Sequence, residues 1–123
     1  MSSPQAVILL IVHDQDLRYA LHAVLALHEG IELAGEVASA AEALSLAERL
    51  GPHVTIITHD PPALNGVAYA QQIRARQLPT HVILLDVHET GAAAQDEVVA
   101  AKFDRTLLID EFVETVSRLF KSL

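Results

Sequence analysis

Four short segments of this chain are apolar at almost every position, a pattern typical of β-strands that are covered on both faces of a sheet. A fifth segment, Ile31–Val37, alternates apolar residues with Glu32 and Glu36, which predicts a less buried strand near an edge. Parallel strands need long crossover connections, so the sequence between these segments should be helical. The four apolar segments are Ala6–Val12, His53–Thr58, His81–Leu85 and Thr106–Ile109.

Between the predicted strands, the apolar residues recur with helical spacing and follow recognisable start signals. Gly30 is expected to close the first helix and Gly51 the second. The alternation of strands and helices predicts one domain over residues 1–123, with a parallel sheet and helices on both of its faces. The predicted helices begin after Asp14, at the capping box Ser39–Glu42, after Asn65, across Gly91–Ala101 and at Asp110.

Composition excludes several classes of protein. The chain has 123 residues, the size of one ordinary domain, and no cysteine, so it has no disulfide framework and no thiolate metal cluster. Its longest apolar stretch is too short to span a bilayer and follows no basic segment, which predicts a cytoplasmic protein with no membrane association. A net charge of -8 repels phosphate backbones, so direct binding of nucleic acid by this domain is not expected.

Polar residues follow the apolar segments, and in a parallel sheet these positions meet at the edge where the strands end. We call this the carboxyl edge. His13–Asp16 contains no glycine, which excludes a dinucleotide or Walker phosphate loop. No Ser or Cys lies on a strand-to-helix elbow beside a His, so a hydrolase triad has no support. The chain is not predicted to be an enzyme. The residues expected at this edge are His13, Asp14, Thr58, His59, Asp60, Asp86, His88, Ile109 and Asp110.

Several motifs carry a resemblance to a known family. They are Ile11–Asp14, Gly51–Val54, Pro61–Gly66 and Ile73–Pro79. With them, the chain resembles the CheY-like receiver domains of two-component response regulators, in particular those of LuxR/NarL type, over Val7–Phe120. The resemblance implies a flavodoxin-like (βα)5 fold, a three-layer sandwich whose five-stranded parallel sheet has the strand order 2-1-3-4-5.

The chain departs from this family at the phosphoacceptor. The family's acceptor aspartate lies four residues before a proline and eight before a glycine. Counting back from Pro62 and from Gly66 leads to Thr58 in both cases. A threonine hydroxyl with no evident base does not replace a carboxylate nucleophile.

The family's other phosphorylation residues are also altered. The acidic pair that holds Mg²⁺ after the first strand corresponds to His13 and Asp14, so one acid is lost. Asp86 stands at the position of a Ser or Thr, Ile109 at that of the Lys, and Thr106 at that of the switch aromatic residue. The resemblance therefore implies a degenerate pseudo-receiver.

The function that follows is a signalling module whose output does not depend on phosphorylation and which requires no cofactor. It is expected to bind a protein partner, or a second copy of itself, through the face formed by the fourth helix, fifth strand and fifth helix. Two arrangements are equally compatible with the sequence: a free-standing domain, or the N-terminal part of a transcription regulator in which DNA binding is left to another domain.

Three alternatives remain open at this stage. The first is a site for a small ligand or a divalent cation such as Mg²⁺, with His13, Asp14 and Asp86 as donors. A second is a response to pH, because histidine titrates near neutral pH. The third is phosphotransfer to a displaced acceptor, Asp60 or Asp86.

Overall fold

The computed structural model describes residues 6–27, 30–86 and 99–104, with the side chains of 7–27 and 30–85. Within these residues, five strands form one sheet and every neighbouring pair is parallel. No described helix is long and apolar enough to cross a membrane. The elements are β1 (Ala6–Ile11), α1 (Gln15–Ala26), β2 (Ile31–Val37), α2 (Ala40–Leu50), β3 (Val54–His59), α3 (Gly66–Ala75), β4 (His81–Asp86) and β5 (Val99–Asp104).

The strand order is β2-β1-β3-β4-β5, which confirms the predicted flavodoxin-like architecture. β3 is buried at all six positions, as its apolar sequence predicts for a central strand. β2 lies at the edge of the sheet and alternates between half-buried and exposed positions along much of its length, which confirms the interpretation of Ile31–Val37.

The fifth strand was predicted wrongly. Residues 99–104 pair with β4, whereas the sequence placed a helix over Gly91–Ala101 and the strand at Thr106–Ile109. A short, mostly apolar segment such as Val99–Phe103, which contains Lys102, is compatible with either a helix or a strand when only its periodicity is considered. Pairing with the free edge of β4 is what makes it a strand. Thr106–Ile109 and the helix predicted from Asp110 lie outside the described residues.

Apolar side chains fill both faces of the sheet. On one face α2 and α3 pack against β1, β3 and β4, and on the other face α1 packs against the same strands. These buried layers hold the carboxyl edge in place because they fix the strands that end there. The first layer contains Leu9, Ile11, Ala43, Ala47, Ile57, Leu64, Tyr69, Ala70, Ile73, Val82 and Leu84, and the second contains Ile8, Leu10, Val12, Leu25, Val54, Ile56, Ile83 and Leu85.

The predicted capping residues begin the three described helices. Asp14 accepts a hydrogen bond from Leu17 N at 3.0 Å. Ser39 and Asn65 cap α2 and α3 in the same way. Gly51 ends α2 in the left-handed conformation, with a φ of 56°. α1 ends at Ala26, earlier than the Gly30 stop suggested by the sequence.

Candidate functional site

The structure brings the ends of three central strands together. Ile11 of β1 pairs with Ile57 of β3, so Thr58 follows directly beside the end of β1. On its other side, β3 pairs with β4 through Thr58 with Leu85 and His59 with Asp86. Thr58, His59 and Asp86 therefore lie at one edge of the sheet, as the sequence predicts. The side chain of Asp86, together with His88, Thr106, Ile109 and Asp110, lies outside the described part of the chain.

Thr58 is a buried residue near the end of β3, and only 1% of its surface is exposed. Strand alternation places it on the same face as Val54 and Ile56. Its Oγ1 atom is buried, and within the described residues it has no hydrogen-bond partner. A hydroxyl acts as a nucleophile only when a base lies within hydrogen-bond reach, and no described side chain provides one.

His59 is the last residue of β3 rather than a loop residue, and it is also buried. Its Nδ1 accepts a hydrogen bond of 3.1 Å from Gly66 N, at the start of α3. Nδ1 therefore carries no proton here and is not available as a base. This contact joins the end of β3 to the first turn of α3, and the sequence analysis did not foresee it.

The loop between β3 and α3 is tightly closed. Asp60 N donates to Leu64 O at 2.8 Å, and Leu64 N donates to Asp60 O at 2.9 Å. A Cβ atom added to Gly66 would lie 2.5 Å from Leu84 Cδ1 and 3.0 Å from Thr58 O. Only glycine allows α3 to begin this close to the sheet.

The loop between β1 and α1 is open to solvent. His13 and Asp14 are both exposed, and one oxygen of the Asp14 carboxylate is used to cap α1. Among the side chains described, no three His, Asp or Glu residues come close enough to hold a metal ion. The donor set proposed from the sequence included Asp86, whose side chain is not among them.

Arg18 is a residue of this edge that the sequence analysis missed. It lies in the first turns of α1, and its guanidinium Nη1 donates a hydrogen bond of 2.9 Å to Val12 O, just beyond the end of β1. The sequence contained a signal for a cation here, because Arg18 is the only Lys or Arg before Arg49. The carboxyl edge thus contains a fixed cation.

No protein-family model matches the chain. Among curated proteins, it is 30% identical over 95 residues to the probable transcriptional regulatory protein NarL of Mycobacterium tuberculosis, an alignment that covers 75% of this chain and 44% of that protein. It is also 33% identical over 76 residues to the protein-glutamate methylesterase/protein-glutamine glutaminase of Alkalilimnicola ehrlichii, covering 61% of this chain and 19% of that protein. The chain spans less than half the length of these relatives.

Solved structures agree with the sequence similarities. The signal receiver domain of the putative response regulator NarL from Mycobacterium tuberculosis superposes with a TM-score of 0.87 at 23% identity, covering 98% of this chain and all of that one. This chain is a receiver domain, similar to those of LuxR/NarL-type response regulators. The response regulator domain of Thermotoga maritima CheB is similar to this receiver domain over 95% of both chains, with a TM-score of 0.76 and 20% identity.

Proposed function

We propose that this receiver domain does not undergo aspartyl phosphorylation and acts as a phosphorylation-independent protein-interaction module. The observation that supports the proposal is the position and burial of Thr58. This residue stands where the family has its phosphoacceptor aspartate, and its hydroxyl is buried without a hydrogen-bond partner in the described part of the chain. The neighbouring His59 accepts a hydrogen bond from Gly66 N through Nδ1, and within the described residues it makes no hydrogen bond to the Thr58 hydroxyl.

The chemistry of phosphoryl transfer explains why several changes act in the same direction. The reaction needs a carboxylate nucleophile, a cation on the phosphoryl oxygens and a positive group that balances the developing charge. Thr58 removes the nucleophile, and the resemblance implies that Ile109 stands where the family has its Lys. Asp86 adds a negative charge at a position where the family has a hydroxyl. Each change opposes the transfer independently.

Asp60 is a poor substitute for the missing acceptor. It follows His59, two residues beyond Thr58, and its backbone is held by both hydrogen bonds to Leu64. Asp60 therefore belongs to a closed turn rather than to the strand end at which Thr58 lies.

The wider role we propose is the N-terminal regulatory part of a cytoplasmic transcription regulator. The name of the similar Mycobacterium tuberculosis protein, a transcriptional regulatory protein, supports this role. The partner, or a second copy of the domain, would bind the face that the sequence assigns to the fourth helix, fifth strand and fifth helix, of which the structure describes only β5. DNA binding would belong to another part of the regulator, because the net charge of -8 opposes contact with phosphate groups.

The direct test is incubation with acetyl phosphate and Mg²⁺ followed by intact-mass measurement, with a phosphorylatable receiver domain as the positive control. We expect no mass gain for the natural chain. A gain of one phosphoryl group would overturn the proposal, and Asp60→Asn and Asp86→Asn would then locate the acceptor. A gain in the Thr58→Asp variant alone would show that this one side chain accounts for the loss.

A further inference from the structure

The start of α3 contains a chemically labile pair of residues. Asn65 is the only asparagine of the chain, and Gly66 follows it. Asparagine is a thermolabile residue, and a glycine that follows it has no side chain to shield its backbone nitrogen. Packing requires this glycine, because a Cβ atom at position 66 would lie 2.5 Å from Leu84 Cδ1. The fold therefore keeps the residue that makes Asn65 reactive.

Deamidation of Asn65 proceeds by ring closure followed by hydrolysis. Gly66 N attacks Cγ of Asn65, so that a new N–C bond forms, Gly66 N gives up its proton and the side-chain nitrogen leaves as ammonia. Water then opens the five-membered imide at either of its carbonyl groups, which gives aspartate or isoaspartate. Water is consumed, ammonia is released and no electrons are transferred. Isoaspartate carries the main chain through Cβ, so the backbone becomes longer by a single atom.

The folded backbone keeps the two reacting atoms apart. The imide ring closes only when Gly66 N and the Cβ atom of Asn65 lie on the same side of the Cα–C bond. At the observed ψ of 92° for Asn65, they lie on nearly opposite sides. The side-chain amide is also held, because Asn65 Oδ1 accepts a hydrogen bond of 3.0 Å from Ala68 N. Attack therefore requires the start of α3 to open.

His59 holds the attacking nitrogen in this unreactive position. Gly66 N donates its hydrogen to His59 Nδ1 at 3.1 Å. His59 is only 6% exposed and is the last residue of β3, so the sheet fixes the position of the acceptor. Rotation of Asn65 towards ring closure would turn the Gly66 N–H away from His59 and break this bond. Nδ1 would promote the attack by taking the proton only if Cγ lay beside the nitrogen, which the observed ψ prevents.

We propose that Asn65 is a latent deamidation site, which is protected while His59 holds Gly66 N and which reacts when the loop between β3 and α3 opens. Such local openings occur in folded proteins without global unfolding. Each reaction leaves a permanent mark, since isoaspartate at position 65 displaces Gly66 N from His59 and the loop no longer closes in its original form. This inference does not rest on the loss of phosphorylation.

The test is incubation of the chain at mildly alkaline pH, followed by intact-mass measurement and by mapping of isoaspartate in the tryptic peptide of residues 50–74, which contains Asn65. We expect the folded natural chain to deamidate about a hundredfold more slowly than the same chain unfolded in urea, a factor within the range of local opening equilibria. His59→Phe should react about tenfold faster than the natural chain under folding conditions, the factor for loss of a buried hydrogen bond.

Two control variants separate the effect of the loop from other causes. Ala20→Gly lowers stability from the exposed middle of α1, which packs on the opposite face of the sheet from α3, and should stay within about twofold of the natural rate. Asn65→Ser keeps a side-chain oxygen at the cap of α3 but has no amide to lose, so its mass should not change.

Four results would overturn the inference. The first is equal deamidation of the folded and unfolded natural chain, which would mean that the fold gives no protection. The second is an unchanged or slower reaction in His59→Phe, and a slower one would show that His59 acts as a base for the attack. The third is an equal acceleration in Ala20→Gly, which would assign the reaction to global unfolding. The last is a mass change in Asn65→Ser, which would place the reaction at another residue.

Discussion

Two loops meet at the carboxyl edge of this receiver domain, and they are held in different ways. The loop between β3 and α3 is packed against the sheet, with buried His59 bonded to Gly66 N and no space for a Cβ atom at Gly66. The loop between β1 and α1 is exposed at His13 and Asp14 and is held by hydrogen bonds within its own short segment.

The difference shows which parts of the site depend on the core and which do not. The position of the loop after β3 is set by close packing, which tolerates little change in volume. The loop after β1 depends on a few polar contacts, each of which contributes modestly to stability. Substitutions that keep the chain folded should therefore be easier to find in the second loop than in the first.

The largest effect is expected for Gly66→Ala. The new Cβ would overlap Leu84 Cδ1 and press on Thr58 O, so either α3 or the sheet must move. We expect a loss of about 3 kcal/mol in the free energy of unfolding, at the upper end for overpacking of a core. Urea denaturation measures it.

The control for Gly66→Ala is Gly51→Ala at the end of α2. Gly51 has a positive φ of 56° but nothing within 4 Å of an added Cβ, so only backbone strain of about 1 kcal/mol is expected. Equal losses for the two variants would contradict the view that packing controls the loop after β3.

Ionisation of Tyr69 should lower the stability of the packed region at alkaline pH. Its hydroxyl donates to Ala43 O at 3.2 Å, which joins α3 to α2, and burial raises the pKa of Tyr69 to about 12. Because the folded pKa lies above the ordinary value of 10, the folded state holds this proton more tightly than the unfolded state. The protonated Tyr69 phenol therefore contributes stability that is fully present below pH 10. This contribution, about 2 kcal/mol in the free energy of unfolding, is lost as the pH rises through 12.

The measurement is urea denaturation at several pH values between 9 and about 12, on the natural chain and on Tyr69→Phe. The phenylalanine variant loses the bond to Ala43 O but has no phenol to ionise, so its disadvantage should shrink as the pH rises. Tyr19→Phe, at a tyrosine that is 61% exposed, should keep the alkaline loss of the natural chain. A constant difference between the natural chain and Tyr69→Phe across this range would contradict the raised pKa.

Much of the fold could be predicted from the sequence because it depends on local patterns. Runs that are apolar at almost every position identified β1, β3 and β4, and the caps at Asp14, Ser39 and Asn65 placed the starts of three helices. These signals survive in a single sequence because each arises from residues close together in the chain. Thr58 could be assigned to the strand end for the same reason, because it is the last residue of the run His53–Thr58.

What could not be predicted depends on contacts between distant segments or on competition between equally plausible local structures. Val99–Ala101 fits a helix or a strand, and pairing with β4 decides between them. Nothing in the sequence states that His59 turns back to Gly66 N or that the Arg18 side chain reaches the carbonyl of Val12. These contacts depend on side-chain direction, which residue spacing does not specify.

The smallest effect is expected for Asp14→Ala, in the exposed loop. It removes the cap on Leu17 N, and we expect a loss of about 1 kcal/mol in the free energy of unfolding. Asp16→Ala is the matched control, because Asp16 lies in the first turn of α1 without capping it. This substitution should lower the free energy of unfolding by only about 0.3 kcal/mol. Hydrogen exchange should quicken around residues 13–18 in Asp14→Ala and stay unchanged in β3 and α3. If Asp14→Ala cost as much as Gly66→Ala, or if it loosened α3, the loop after β1 would be part of the packed core and the contrast between the two loops would be wrong.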